Sequence, residues 1–316
     1  MKKSRFIFML IASCILSSCD MSNSEIIYSY EKSSLILGNV GGWGAEVKSI
    51  EHKNGIGKIT FKNKITSIPE SAFINCSMLK SITIPNSVTE IGPGAFRNCV
   101  TLTSITIPNG VTMIGDEAFL GCKSLESATI PNSITKIERG IFRGCESLRS
   151  ITIPNCVTQI ENEAFFGCES LRDLTIPYGV TKIGDDAFRA CDLLKSITMP
   201  NSVTEIGNNT YSYCRDLESV TIPDTVTRIG DEAFFGCKNL SKVYCNATTP
   251  PNIGEKVFSY YEYIYDYNYN KSFYSEPHTK LRNIKCKIYV PTASVNSYKT
   301  ANGWSNYSNN IIGYDF

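Results

Sequence analysis

Seven prolines, Pro85, Pro108, Pro131, Pro154, Pro177, Pro200 and Pro223, stand 23 residues apart. Cysteines keep the same interval at Cys76, Cys99, Cys122, Cys145, Cys168, Cys191, Cys214 and Cys237. Phenylalanines keep it at Phe73, Phe96, Phe119, Phe142, Phe165, Phe188 and Phe234, with Tyr211 filling the one gap. A fixed period of this length over the stretch from Ile56 to Asn239 marks a chain built of one repeated supersecondary unit.

Within the unit that starts at Leu79, Ile82 and Ile84 alternate with Ser81 and Thr83, the period-2 pattern of a strand with one buried face. Pro85 ends that strand, because it donates no ladder hydrogen bond. Asn follows the proline position at Asn63, Asn86, Asn109, Asn132, Asn155 and Asn201, a column suited to satisfying turn backbone groups. The segment from Ile91 to Cys99 returns the chain and buries Ala95, Phe96 and Cys99. One unit cannot bury these apolar residues alone; stacked on copies of itself it can. The expected fold is therefore a repeat solenoid of the leucine-rich-repeat type. It has a parallel β-sheet of one short strand per 23-residue coil, short helical or irregular returns, and a cap at each end. Eight coils at the spacing of sheet strands would extend roughly 35–40 Å.

The pattern L-x-x-I-x-I-P-x-x-V-x-x-I-G-x-x-A-F-x-x-C resembles the BspA-like, Treponema-type leucine-rich repeat. The ending Ile288-Tyr289-Val290-Pro291, Tyr298-Lys299, Gly303-Trp304 is similar to members from Bacteroides-type bacteria. The likeness covers about residues 56 to 316. It implies a cell-surface or secreted protein used in adhesion and host-protein binding.

The N-terminus agrees with that address. Lys2, Lys3 and Arg5 precede an apolar run from Phe6 to Leu16, too short for a permanent span. Leu16-Ser17-Ser18-Cys19 resembles the lipobox of bacterial lipoproteins, which implies acylation of Cys19 and attachment to a membrane through that lipid alone. The expected division is a lipoprotein signal peptide over 1–18, the lipidated cysteine, linker and N-terminal cap over 19–55, and the solenoid over 56–258. A Tyr-rich insertion over 259–281 and a degenerate repeat or cap over 282–316 complete it. The expected location is the outer membrane or cell surface.

Composition excludes other classes. With 42% hydrophobic residues and a formal net charge of +1, the chain is neither disordered nor a nucleic-acid binder. The chain has two histidines, and no P-loop, nucleophile elbow or zincin motif is present, so neither an enzyme, a metal site nor a cofactor is expected. Pairs such as Asp116-Glu117, Asp185-Asp186 and Asp231-Glu232 recur at one position of the unit and read as negative charge at a helix start. Of 13 cysteines, Cys14 lies in the leader and Cys19 is the lipidation residue. The column of eight reads as small buried hydrophobes rather than disulfides or zinc ligands. A Cys245–Cys286 pairing is left open.

Three places invite a partner, either a host-matrix or cell-surface protein or a glycan. The outward strand positions form Ser and Thr ladders too uniform to read a specific ligand, and look structural. A second column, next to the buried Phe, includes Arg143, Phe166 and Arg189, where stacked coils would allow cation–π contact. It is either an interface or a cover for the convex side. The third is Tyr260, Tyr261, Tyr263, Tyr265, Tyr267, Tyr269 and Tyr274. Tyrosine gives large contact area at low entropy cost, so this segment is either a binding site or a cap on the last coil. Non-catalytic adhesion to protein is the first reading of the chain. A periplasmic or outer-membrane scaffold capturing a glycan or partner is the second. Asp224-Thr225-Val226 also resembles the Bacteroides O-glycosylation triplet.

Overall fold

The computed structural model describes residues 24–30, 43–263, 279–283 and 285–315. They form a parallel β-solenoid of about ten coils of roughly 23 residues with little helix. In most coils a short strand such as Ser104–Thr106 (Ser-Ile-Thr) has the pattern exposed, buried, exposed; at Asp173 only a single bridge to Ser150 forms. Successive strands pair in parallel, Ser104 with Ser127 and Ser127 with Ser150.

A second parallel sheet, beyond the single strand per coil that alternation predicts, runs through two-residue strands on the far side of the proline turn. Glu90–Ile91 pairs with Met113–Ile114, and Lys136–Ile137 with Gln159–Ile160. Only the isoleucine of each pair is buried. Where a glycine follows it, as at Gly92 and Gly115, close approach of coils fixes the residue: a Cβ on Gly115 would lie 2.5 Å from the Pro93 nitrogen of the coil below.

The return segments contain no helix. Each carries two residues in the left-handed region, four apart. One column holds Glu117, Glu163, Asp186, Asn209 and Glu232 (φ 53–60°). The other holds Asn98, Gly121, Gly144, Gly167, Ala190 and Tyr213. This conformation turns their N–H groups along the solenoid axis onto the next coil: Glu117 donates to Arg139 O at 2.9 Å and Gly121 to Arg143 O at 2.7 Å. The paired carboxylates therefore do not start helices as the charge pattern suggests. Asp185 Oδ1 instead accepts the Asn208 N–H at 2.7 Å, and Asp231 Oδ1 the Glu255 N–H at 2.8 Å.

The turn after the proline differs from expectation too. The Asn side chains are exposed, and the following residue makes the bond to the coil below. Ser87 donates to Ile65 O, Ser202 to Val180 O and Thr225 to Val203 O. Cys156, off the cysteine column, occupies this site, its thiol 3.1 Å from Ile134 O. A threonine column adds further rungs, such as Thr112 Oγ1 to Thr89 O.

The core is a stack of rings. From Phe73 through Phe96, Phe119, Phe142, Phe165, Phe188, Tyr211 and Phe234 to Phe258, centroids are 5.2–5.7 Å apart and planes within 16° of parallel. Each fully buried ring is worth roughly 1.5–3 kcal/mol in apolar burial alone. Beside it the cysteine thiols donate to carbonyls of the preceding coil, from Cys99 to Phe73 O at 3.1 Å through Cys237 to Tyr211 O at 3.1 Å.

Aromatic residues close both ends. Trp43 and Tyr28 meet Phe73 edge-on. Strand β1 (Glu25–Tyr30) runs antiparallel between β3 (Ile56–Phe61) and Leu79–Thr83, and β3 pairs with β2 (Val47–Lys53), so the edge of Leu79–Thr83 is covered. At the other end Trp304 and Tyr307 lie on Phe258, and Trp304 Nε1 donates to Pro251 O at 2.8 Å.

Candidate functional site

Immediately outside the buried ring stack runs a second ladder. The Arg143 guanidinium sits 5.0 Å from the Phe166 centroid. Arg189 lies 5.5 Å from the same ring and 5.6 Å from that of Tyr213. Tyr213 meets Phe235 edge-on at 5.6 Å, and Phe235 meets Tyr261 edge-on at 5.2 Å. Lys238 stands 5.8 Å over the ring of Tyr260, which packs half-buried against the core. Arg143, Phe166 and Arg189 are thus joined to Tyr260 and Tyr261, two groups that looked separate in the sequence.

The left-handed returns hold the arginines in place. Glu163 pairs with Arg143, and Asp186 Oδ1 lies 3.0 Å from Arg189 Nη1. Both faces of Phe166 are consequently covered by guanidinium groups held by carboxylates. Next to Arg143 the ladder opens on a shallow groove of about 220 Å³ along Gly121, Gly144 and Gly167, walled by Leu120 and Phe166. In the next two coils Ala190 and Tyr213 occupy the same left-handed column.

Tyr261 begins the outward side of a hairpin, in which Ser259–Tyr263 pairs antiparallel with Thr279–Asn283. Tyr261 and its cross-strand partner Leu281 are both exposed. Only the backbone pairing of Tyr263 is described. Tyr265, Tyr267, Tyr269 and Tyr274, and Cys19 at the other end of the chain, lie outside the described residues. The last coil is covered by Trp304 and Tyr307, the task that the cap reading gave to the Tyr-rich segment.

The Ser and Thr ladders are exposed, as alternation requires. Their columns, however, do not stay uniform. Past Ser219 and Thr221 they continue as Lys242 and Tyr244, then Lys287 and Tyr289. The rings of Tyr244 and Tyr289 stack at 4.9 Å. The break in the threonine column was visible in the sequence, but only the register places Tyr289 beside Tyr244 across the insertion.

The eleven cysteines of the described residues are free thiols, Cys245 and Cys286 among them. Cys245 Sγ lies 3.1 Å from Tyr298 Oη. Burial pushes the thiols of Cys76 and Cys245 up to about 11 and that of Cys286 up to about 12, so these three stay protonated at neutral pH. Thr225, in the triplet that resembles a glycosylation signal, spends its hydroxyl proton on Val203 O at 2.8 Å.

The profile of the BspA type leucine rich repeat region matches six copies over residues 48–172 and 135–265. A crystal structure of a leucine-rich repeat protein from Bacteroides ovatus is 33% identical, with a TM-score of 0.55, over 61% of this chain and 55% of that one. The chain thus aligns with little more than half of that relative's length. The leucine-rich repeat protein of T. pallidum is also 33% identical, over 49% of this chain and 74% of its own, with a TM-score of 0.46. A leucine rich cell surface protein from Faecalibacterium prausnitzii shares 24% identity over 66% of this chain and 85% of its own, with a TM-score of 0.35. No curated protein matches. Six repeat copies across most of the described solenoid settle the family: the chain belongs to the BspA-type leucine-rich-repeat proteins.

Proposed function

We propose that this protein is a non-catalytic binding protein of the cell surface, lipid-anchored at Cys19, that docks proteins of a host or neighbouring cell. The observation that carries the reading is the continuity of the ladder from Arg143 through Phe166, Arg189, Tyr213 and Phe235 to Tyr261. Arg143, Phe166, Arg189 and Tyr213 are half-exposed and Tyr261 is exposed, with buried Phe235 joining them from beneath; aromatic and arginine side chains of this kind are the composition of interface hot spots. In the sequence the strand that ends the ladder continues into the segment that holds Tyr265, Tyr267, Tyr269 and Tyr274. An acyl-anchored N-terminus would leave the C-terminal coils to face outward.

Protease treatment of intact cells, with a periplasmic protein as control, tests the location. Digestion of the mature chain is the expected result. Protection behind an intact outer membrane would overturn surface display and favour a periplasmic scaffold. Binding to immobilised host-matrix proteins tests the site: removal of residues 264–278 should abolish binding while leaving the melting temperature of the repeats unchanged.

A further inference from the structure

The outward face of the strand sheet changes character in its last coils. Lys242 and Lys287 are directly aligned on neighbouring parallel strands, two residues before Tyr244 and Tyr289. Aligned strands lie about 4.8 Å apart. Like charges so placed destabilise a sheet, and among the described residues neither ammonium has a salt-bridge partner. Both are exposed. The tyrosines above them stack on each other, and Tyr314 packs edge-on against both, at 6.0 Å and 5.8 Å. Tyr314 (45% exposed) and Ile312 (38%) extend the patch to the final strand, Ile311–Tyr314. On the other side it runs into the neutral hydroxyls of Ser219 and Thr221, then Ser196 and Thr198.

We infer that this end of the sheet face is a binding site for an acidic glycan. Lys242 and Lys287 would converge on a sugar carboxylate, and the ring would lie against the edge of the tyrosine cluster. Lysine presents a compact point charge rather than a fork, so two of them on adjacent rungs suit a single shared anion. An uncompensated local conflict in an otherwise self-consistent repeat is where function is expected to sit. A sugar fits better than an acidic peptide. The backbone groups of these strands are spent on the parallel ladder, so the face offers a main chain nothing to pair with. It offers instead what sugars use: aromatic surface, hydroxyls and fixed charge. This site lies on a different face from the Arg143–Tyr261 ladder and is tested by different variants.

The test is calorimetric titration of the full mature chain. The probes are a hyaluronan octasaccharide, tetragalacturonate and sialyllactose. Cellotetraose and lactose serve as neutral counterparts, and a Glu-rich peptide as an acidic non-sugar. Binding of at least one acidic saccharide, and of neither neutral one, is expected. Lys242→Gln with Lys287→Gln should weaken it by about tenfold or more, the size of one lost charge-assisted contact. Tyr289→Ala should weaken it as well. The lysine variants relieve a repulsion, so their melting temperature should not fall, which separates lost binding from lost folding. Three results would overturn the inference: no acidic saccharide binds, the lysine variants bind as the parent does, or the peptide binds with the same lysine dependence. The last would assign the face to protein.

Discussion

Phe165 and Phe166 are neighbours in the chain and belong to different worlds. The column of Phe165 repeats almost without change, because each ring meets an identical ring above and below at a fixed distance. The column of Phe166 reads Ile74, Arg97, Leu120, Arg143, Phe166, Arg189, Ser212 and Phe235. From Ile74 to Arg189 its residues are partly or fully exposed, and only Ser212 and Phe235 are buried, so ring stacking imposes no single identity on the column. In this solenoid stacking holds a buried column constant, while a partly exposed column is free to vary, although the exposed Ser, Thr and Asn columns stay largely constant for the sake of the strands and turns. The cysteine column follows the first rule and the lysine–tyrosine rows of the last coils the second.

Raising the pH should break the inner column most severely, because it acts on the thiols together. Folded thiols with raised values, Cys76 at about 11 against 9.0 and Cys99, Cys145, Cys168, Cys191 and Cys237 raised by burial in the same column, with Cys245 at about 11 and Cys286 at about 12 off it, bind protons more tightly than the unfolded chain does. Their contribution to stability is complete below pH 9 and is lost as pH rises through 11 to 12. Denaturant midpoints taken from pH 7 to 11 under reducing conditions should hold level to about 9 and then drop. A flat profile would mean that the thiols are not buried as described.

Phe142→Ala comes next. It opens a gap in the middle of the ring stack and should cost about 3–5 kcal/mol, read by urea unfolding. Phe166→Ala, one column out, should cost under about 1 kcal/mol by the same measure, the scale of an exposed cation–π contact. Its larger effect should be on protein binding. Equal losses at Phe142 and Phe166 would erase the distinction between the columns.

Tyr211→Phe sharpens the comparison from the other side. Tyr211 is fully buried and its hydroxyl has no hydrogen-bond partner among the described residues. Restoring the residue of the other coils should raise stability by about 1–2 kcal/mol. Ala190→Gly should give the smallest change, a gain of up to about 1 kcal/mol, because Ala190 holds φ 57° where four other coils use glycine. Both are measured as shifts in the unfolding midpoint.

Much of this architecture was legible before any coordinates. The period fixed the solenoid, and the Ser-Ile-Thr alternation gave the first sheet. Proline marked the turn, and Ala, Phe and Cys marked the core. What escaped had physical reasons. Strands such as Glu90–Ile91 are two residues long, too short for alternation to register. The left-handed column holds Glu, Asp and Asn as well as Gly, so no single residue type betrays it. Its carboxylates looked like helix starts because charge pattern alone does not report φ. The contact of Phe235 with Tyr261 depends on a coil lengthened by one residue, where Phe234 is followed by Phe258. The pairing of Lys242 with Lys287 crosses the whole insertion and follows from register alone.

Hydrogen bonds between coils run parallel to the long axis, with the strands lying across it. A tension applied between the two ends therefore loads the rungs one coil at a time, like a zip, instead of shearing many at once. Each coil that peels away releases 23 residues, roughly 75–80 Å of slack at full extension, while the remaining stack keeps its shape. A tether built this way yields in steps under a pull and lengthens severalfold before it lets go.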